Sequence, residues 1–139
     1  MGTFAVAVRA VIENLESSGF EILEAVFDAS HTPHVVAERN DRLQFVLVQG
    51  IEGPYLADFS EETHYARMLA LVEAITWHPK GAEVGRLAQA NQGDARLAIV
   101  GLLWVEPTEQ GAEPAFMAKV FPYRTIDPTG HIFAMGDYG

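Results

Sequence analysis

The 139 residues contain no cysteine, few cations and no long apolar run, and each lack closes off a class of protein. Without cysteine there is neither a disulfide framework nor a thiolate metal site, and a reducing compartment such as the cytoplasm fits. No stretch nears the roughly 20 apolar residues that a membrane-crossing helix needs. The N-terminus has no basic region leading into an apolar block and a small-residue cleavage site, so no signal peptide is expected. Met1-Gly2 opens like a myristoylation signal, but Val6 stands where that signal requires Ser or Thr. The expectation is a cytoplasmic chain with no membrane contact.

Nine Lys and Arg stand against nineteen Asp and Glu, a formal net charge of −10. Proteins that hold nucleic acid do so largely by neutralising phosphates with cations, so this balance is a poor footprint for that partner. An acidic surface keeps a small protein dispersed and suits a basic partner. Apolar residues make up 49% and charged residues 20%, a globular balance. The length is that of one domain, 1–139, able to bury a core without covalent staples.

The stretch PHVVAERNDRLQFVLVQG, residues 33–50, organises the rest. It reads as two strands, His34 to Arg39 and Leu43 to Gln49, joined by a tight polar turn at Asn40-Asp41. In the second, Leu43, Phe45 and Leu47 point one way and Gln44, Val46 and Val48 the other. Before it, Phe4, Val8, Val11, Ile12 and Leu15 recur at helical spacing over Thr3 to Ser18, with Gly19 as the stop. Phe20 to Asp28 reads as a strand buried on both faces along part of its length.

After a loop over Gly50 to Phe59, a helix starts near Asp58 or Ser60. Its stripe is Tyr65, Met68, Leu69, Val72 and Ile75, and Pro79 lies beyond its end. Lys80 to Gln92 fits a second helix, weakened by Gly85. Arg96 to Glu106 is apolar enough for a central strand. Pro107 to Pro114 reads as a loop and Ala115 to Arg124 as a strand that Pro122 assigns to an edge. The tail is expected to pack loosely, anchored by Ile132 and Phe133. The fold class is therefore α/β (α+β), in the order α-β-β-β-α-(α)-β-β, with helices flanking a mixed sheet.

This order, with the proline and the hairpin, resembles the core of the restriction-endonuclease-like superfamily, the PD-(D/E)xK nucleases and their non-nuclease relatives, over Thr3 to Glu106. Pro33 matches the family's proline, His34 falls where its aspartate stands, and Leu47-Val48-Gln49 falls where Asp/Glu-x-Lys stands. Family members hold a divalent cation with two carboxylates and assist the nucleophile with the lysine. Imidazole, leucine and amide in those places imply a degenerate member that lacks the metal-binding triad. Glu38, four residues after His34, is the one acid positioned to replace a lost ligand.

Other constellations resolve into structure. His31 and His34 form H-x-x-H, but zinc needs further ligands and none is suitably spaced. The expectation is a solvent-facing His31 and a hydrogen-bonded His34. Asp58, Ser60 and His64 supply triad residue types without a nucleophile elbow, as a capped helix start does. Gly81, Gly85 and Gly93 match no phosphate-binding spacing. Trp104 reads as core, while Trp77 beside His78 is the candidate exposed contact.

No catalytic residue, metal or cofactor is assigned. The expected function is a non-enzymatic interaction or scaffold domain on a nuclease-like fold, with a protein partner or a second copy and no nucleic acid. His34, Glu38, Gln49 and Trp77 are its candidate binding residues. Two alternatives stay open. One is a small acidic chaperone or adaptor of the type III secretion chaperone class, which has a similar element order. The other is an unrecognised enzyme using His34, Glu38 and His64. A strand at Arg96 parallel to an earlier strand points to the nuclease-like fold, and an entirely antiparallel sheet to the chaperone-like one.

Overall fold

A computed structural model describes residues 3–55, 61–105 and 115–134. Helix α1 covers Thr3–Ser17, with Ala7, Val8, Val11 and Leu15 buried at the spacing that the apolar pattern requires. It ends at Gly19, whose φ of 88° is left-handed backbone, and the Phe20 amide returns to the Leu15 carbonyl at 3.0 Å. Strands β1 (Glu21–Ala25), β2 (Val35–Arg39) and β3 (Arg42–Tyr55) then form an antiparallel meander. Asn40 and Asp41 make the β2–β3 turn with φ of 54° and 64°, the conformation that a two-residue hairpin favours and that Asn and Asp tolerate.

Helices α2 (Glu61–Glu73) and α3 (Gly81–Ala90) lead into β4 (Asp94–Val105), which pairs parallel to β3 from Gln44↔Asp94 onward. Strands β5 (Ala115–Val120), β6 (Arg124–Ile126) and β7 (Ile132–Ala134) bring the mixed sheet to seven strands among the described residues. Its order is β1-β2-β3-β4-β6-β7, with β5 also on β4.

The alternation read in β3 holds. Phe45 and Leu47 face the layer that contains Met68 and Val72 of α2 and Val84 and Ala88 of α3. Val46 and Val48 face Ala7, Val8, Val11 and Leu15 of α1. β4 is buried on both sides, Leu97 and Ile99 toward α2 and α3, Ala98 and Val100 toward α1. The sheet is thus sandwiched, three helices on two faces.

Four expectations need correcting. β1 is shorter than the run from Phe20 to Asp28 and is not doubly buried: Glu21, Leu23 and Glu24 are exposed, because it is the end strand and a register shift between Ile22 and Glu24 breaks its alternation. The loop expected from Gly50 is strand as far as Tyr55, since β4 continues to offer parallel partners (Gly50↔Val100, Ile51↔Gly101, Glu52↔Leu102). The single strand from Ala115 to Arg124 is two. Pro122 has no amide proton to donate, and β4 pairs with β5 above that interruption and with β6 below it. The tail is less loose than expected, for β7 pairs with β6 and Ile132 is buried. The helix start at Asp58 or Ser60, the loop from Pro107 to Pro114 and the last five residues lie outside the described residues.

Gly85 does not weaken α3; it fits the helix to the turn at Asp127–Gly130. A Cβ there would lie 2.2 Å from the Asp127 carbonyl oxygen, and one at Gly81 would lie 3.0 Å from the Gly130 carbonyl oxygen. In an isolated helix Gly→Ala gains about 1 kcal/mol. Here Gly85→Ala must push α3 off the turn, and overpacking of this kind costs about 1–3 kcal/mol or more. Gly85→Ala is expected to lower the Tm, and a thermal melt showing an equal or higher Tm would refute this packing.

Candidate functional site

The region around His34 is built where β2 begins beside β3, and where the loop before β2 meets the start of α3. Pro33, in a cis peptide bond with Thr32, precedes the strand. His34 is only 3% exposed. Its Nδ1 accepts the Val48 amide proton at 2.8 Å. Nδ1 is therefore unprotonated, and Nε2 carries the hydrogen, directed at the Ala29 carbonyl at 3.4 Å. The main chain of His34 is tied as well, its amide donating to the Val46 carbonyl at 3.0 Å and its carbonyl accepting from Val26 at 2.8 Å. The Phe4 ring of α1 meets the imidazole edge-on, centroids 4.8 Å apart. Burial pushes the His34 pKa below its ordinary 6.5, since a charged imidazole would lose its hydration there.

A second histidine stands close by. His78, in the segment between α2 and α3, is half-buried, and its Nδ1 accepts the Lys80 amide proton at 3.0 Å. Burial lowers its pKa, and repulsion from His34, whenever that ring is protonated, and from the Lys80 ammonium acts in the same direction. From the first turn of α3, the Glu83 carboxylate accepts the Thr32 hydroxyl at 3.1 Å. The loop between β1 and β2 is thus clasped twice, by His34 to β3 and by Thr32 to α3. Its exposed outer part is a polar turn in which Asp28 accepts from the Ser30 amide and hydroxyl, with His31 3.2 Å away. The Ser30 bonds hold the Asp28 carboxylate below its usual range, with His31 adding to them.

The structure brings His34 to the Leu47-Val48-Gln49 triplet, through the Val48 amide. Leu47 is buried in the α2/α3 layer, and Gln49 is half-buried. Glu38 does not join them. It lies near the far end of β2, opposite Leu43 of β3 and Glu21 of β1, roughly 13 Å of strand rise from His34. Trp77, next in the chain to His78, is 62% exposed and bridges to His131, whose ring stacks with that of Phe133. His31 is exposed. The side chains of Ser60, His64 and Trp104 lie outside the described residues. Among the described residues no group of three or more His, Asp or Glu is placed to hold a metal ion.

Nothing in the sequence marks His78, Thr32 and Glu83 as neighbours of His34. They come from separate segments that only the packing of α3 unites, so no spacing announces them.

A second polar cluster ties together the first residues of the parallel strands β3 and β4. Asp94 takes Arg42 in a two-pronged pair at 2.6 Å on each oxygen and Gln44 at 2.9 Å, with Arg96 3.7 Å away. Arg42 chiefly, with Gln44 and Arg96, holds the Asp94 carboxyl below its ordinary value. Buried Arg124 donates to the Val72 carbonyl at 3.1 Å and so caps the end of α2. Tyr123 donates to Asn14 at 2.8 Å, and burial raises its pKa. These are joints of the scaffold, although the buried Arg124 Nε has no hydrogen-bond partner among the described residues.

A family model described as a domain of unknown function (DUF8840) matches residues 3–105, and the chain belongs to that family. The matched segment runs from the first residue of α1 to the last of β4 and includes the whole clasp around His34. No curated protein matches the chain. Among the described residues no helix is long and apolar enough to cross a membrane.

His34 and His78 are both held neutral, so below pH 6.5 the folded chain binds fewer protons than the unfolded one. Stability from these groups is complete above about pH 6.5 and is lost as the pH falls toward their depressed folded values. Denaturant midpoints should therefore drop between about pH 7.5 and about pH 5.5, well before carboxylates such as Asp94 protonate. His34→Ala leaves the Val48 amide without its acceptor, at a cost of about 1–3 kcal/mol, and should flatten that acid-side loss. A wild-type midpoint constant across this range would refute the neutral clasp.

Proposed function

We propose that this DUF8840 member is a non-enzymatic protein-interaction domain on a restriction-endonuclease-like scaffold whose catalytic positions have been lost. The carrying observation is the state of His34 and Leu47. Where the nuclease pattern needs two exposed carboxylates, a buried imidazole has both nitrogens directed at the main chain, and a leucine is packed in the core. A site that holds a divalent cation needs oxygen ligands open to it. Neither residue offers one, and Glu38 is too distant along β2 to complete the set.

The pairing of β3 with β4 supports the nuclease-like scaffold over the chaperone-like alternative. The two strands run parallel across a helical crossover, and the meander before them is antiparallel. An entirely antiparallel sheet would have favoured the secretion-chaperone class. The enzyme reading needs His34 and Glu38 in one cleft, and the β2 register keeps them apart. The net charge of −10 supports a protein partner over nucleic acid.

Incubation with DNA and RNA in the presence of magnesium or manganese tests the reading directly. The expected result is no cleavage and no rise in Tm with either metal. Metal-dependent cleavage accompanied by a higher Tm would overturn it, because a cation bound by the folded state must stabilise that state.

A further inference from the structure

We propose that the outer edge of β1 is a docking strand for an extended, basic segment of another protein. The proposal deepens the protein-interaction reading and rests on it. β1 is the end strand of the sheet; β2 pairs with its inner side, and among the described residues no strand pairs with the outer one. An end strand presents unpaired backbone donors and acceptors, which an incoming strand can satisfy.

Two features separate this edge from one that is merely uncovered. First, Leu23 within β1 is 49% exposed, and Phe27, two residues past its end, is 48% exposed. Leu23 sits at the register shift between Ile22 and Glu24, where it has no partner in β2. β1 is short and shifted in register, which limits pairing with a like strand, but it carries no lysine or proline, and an exposed leucine stands at the shift.

Second, the charges along the edge have one sign. From Phe20 to Ser30 there are three acids and no Lys or Arg. The shift at Leu23 sets Glu21 opposite Glu38 and Glu24 opposite Val36, whereas Ile22 and Ala25 lie opposite Ala37 and Val35 of the α1 layer. Strand alternation therefore places Glu21, Glu24 and Glu38 together on the other face. The directly opposed Glu21 and Glu38 repel each other, a cost that an incoming cation relieves. The neighbouring Arg39 is turned away, stacked 4.4 Å from the Phe20 ring centroid and donating to the Ser18 carbonyl at 2.8 Å.

The same charges select the occupant. A second copy pairing edge to edge would bring acid against acid, between chains that each carry −10. A strand with lysine or arginine alternating with apolar residues meets the carboxylates with its cations and brings apolar side chains to an edge where Leu23 is exposed.

The test measures fluorescence anisotropy of a labelled peptide alternating valine and lysine, against one alternating valine and glutamate, with the full chain. The basic peptide is expected to bind and the acidic one not to, with affinity weakening as salt rises from about 0.05 M to about 0.5 M. Combined Glu21→Lys and Glu24→Lys should weaken binding about tenfold or more, and combined Leu23→Ser and Phe27→Ser several-fold. All four side chains are exposed, so circular dichroism should stay unchanged and the Tm should not fall. Hydrogen exchange should show new protection at the β1 amides, which loose adhesion of a cation to an acidic surface does not produce. Three results overturn the proposal: no binding of the basic peptide, binding untouched by the β1 variants, or sedimentation showing that the chain self-associates through β1. The first two leave the broader interaction reading standing, whereas metal-dependent nucleic-acid cleavage removes that reading too.

Discussion

The parallel pairing of β3 with β4 is the constraint from which the other placements follow. Parallel neighbours cannot be joined by a tight turn, so the chain between them must cross over, and here it does so through α2 and α3. Those helices cover one face of the pair and α1 covers the other, so both strands are apolar on both sides. Because α3 leads directly into β4, its far end comes back to the level at which β2 begins. That return brings His78 and Glu83 to the loop before β2.

The consequence for chemistry is a polar cluster whose groups serve the fold. A carboxylate in place of His34 would be an ion in a nearly closed space and would need a cation beside it. The imidazole needs none, because burial keeps it neutral while one nitrogen accepts a strand amide and the other faces a loop carbonyl. A position that resembles a metal-ligand site in the sequence thus secures the loop that connects β1 to β2. Large exposed side chains lie outward, Leu23 and Phe27 near one end of the sheet and Trp77 and Phe133 near the other.

Acidic charge shapes this surface without building the core. The Asp94 cluster, where carboxylate, guanidinium and amide meet, locks the ends of β3 and β4 and uses its charges internally. Among the described residues Glu21, Glu24 and Glu38 have no such assignment, and they share a face near the edge of the sheet. Unbalanced charge at an edge limits pairing between like copies and leaves the edge receptive to the opposite sign.

Local pattern by itself determined much of this protein. The α1 stripe, its stop at Gly19, the Asn40-Asp41 hairpin and the two faces of β3 depend on spacing and backbone preference over a few residues, and each stands where those predict. Tertiary structure decided what depended on distant partners. Only β4 could tell that Gly50 to Tyr55 is strand, only its position at the end of the sheet could leave β1 half open, and only the turn at Asp127–Gly130 explains Gly85. The site divides in the same way. That His34 is hydrogen-bonded and His31 exposed was legible in the sequence, because a histidine in an apolar strand start needs partners and one in a polar loop does not. That His34 meets the Val48 amide and lies near His78 while Glu38 stays apart was decided by register and crossover, which join residues that no sequence spacing connects.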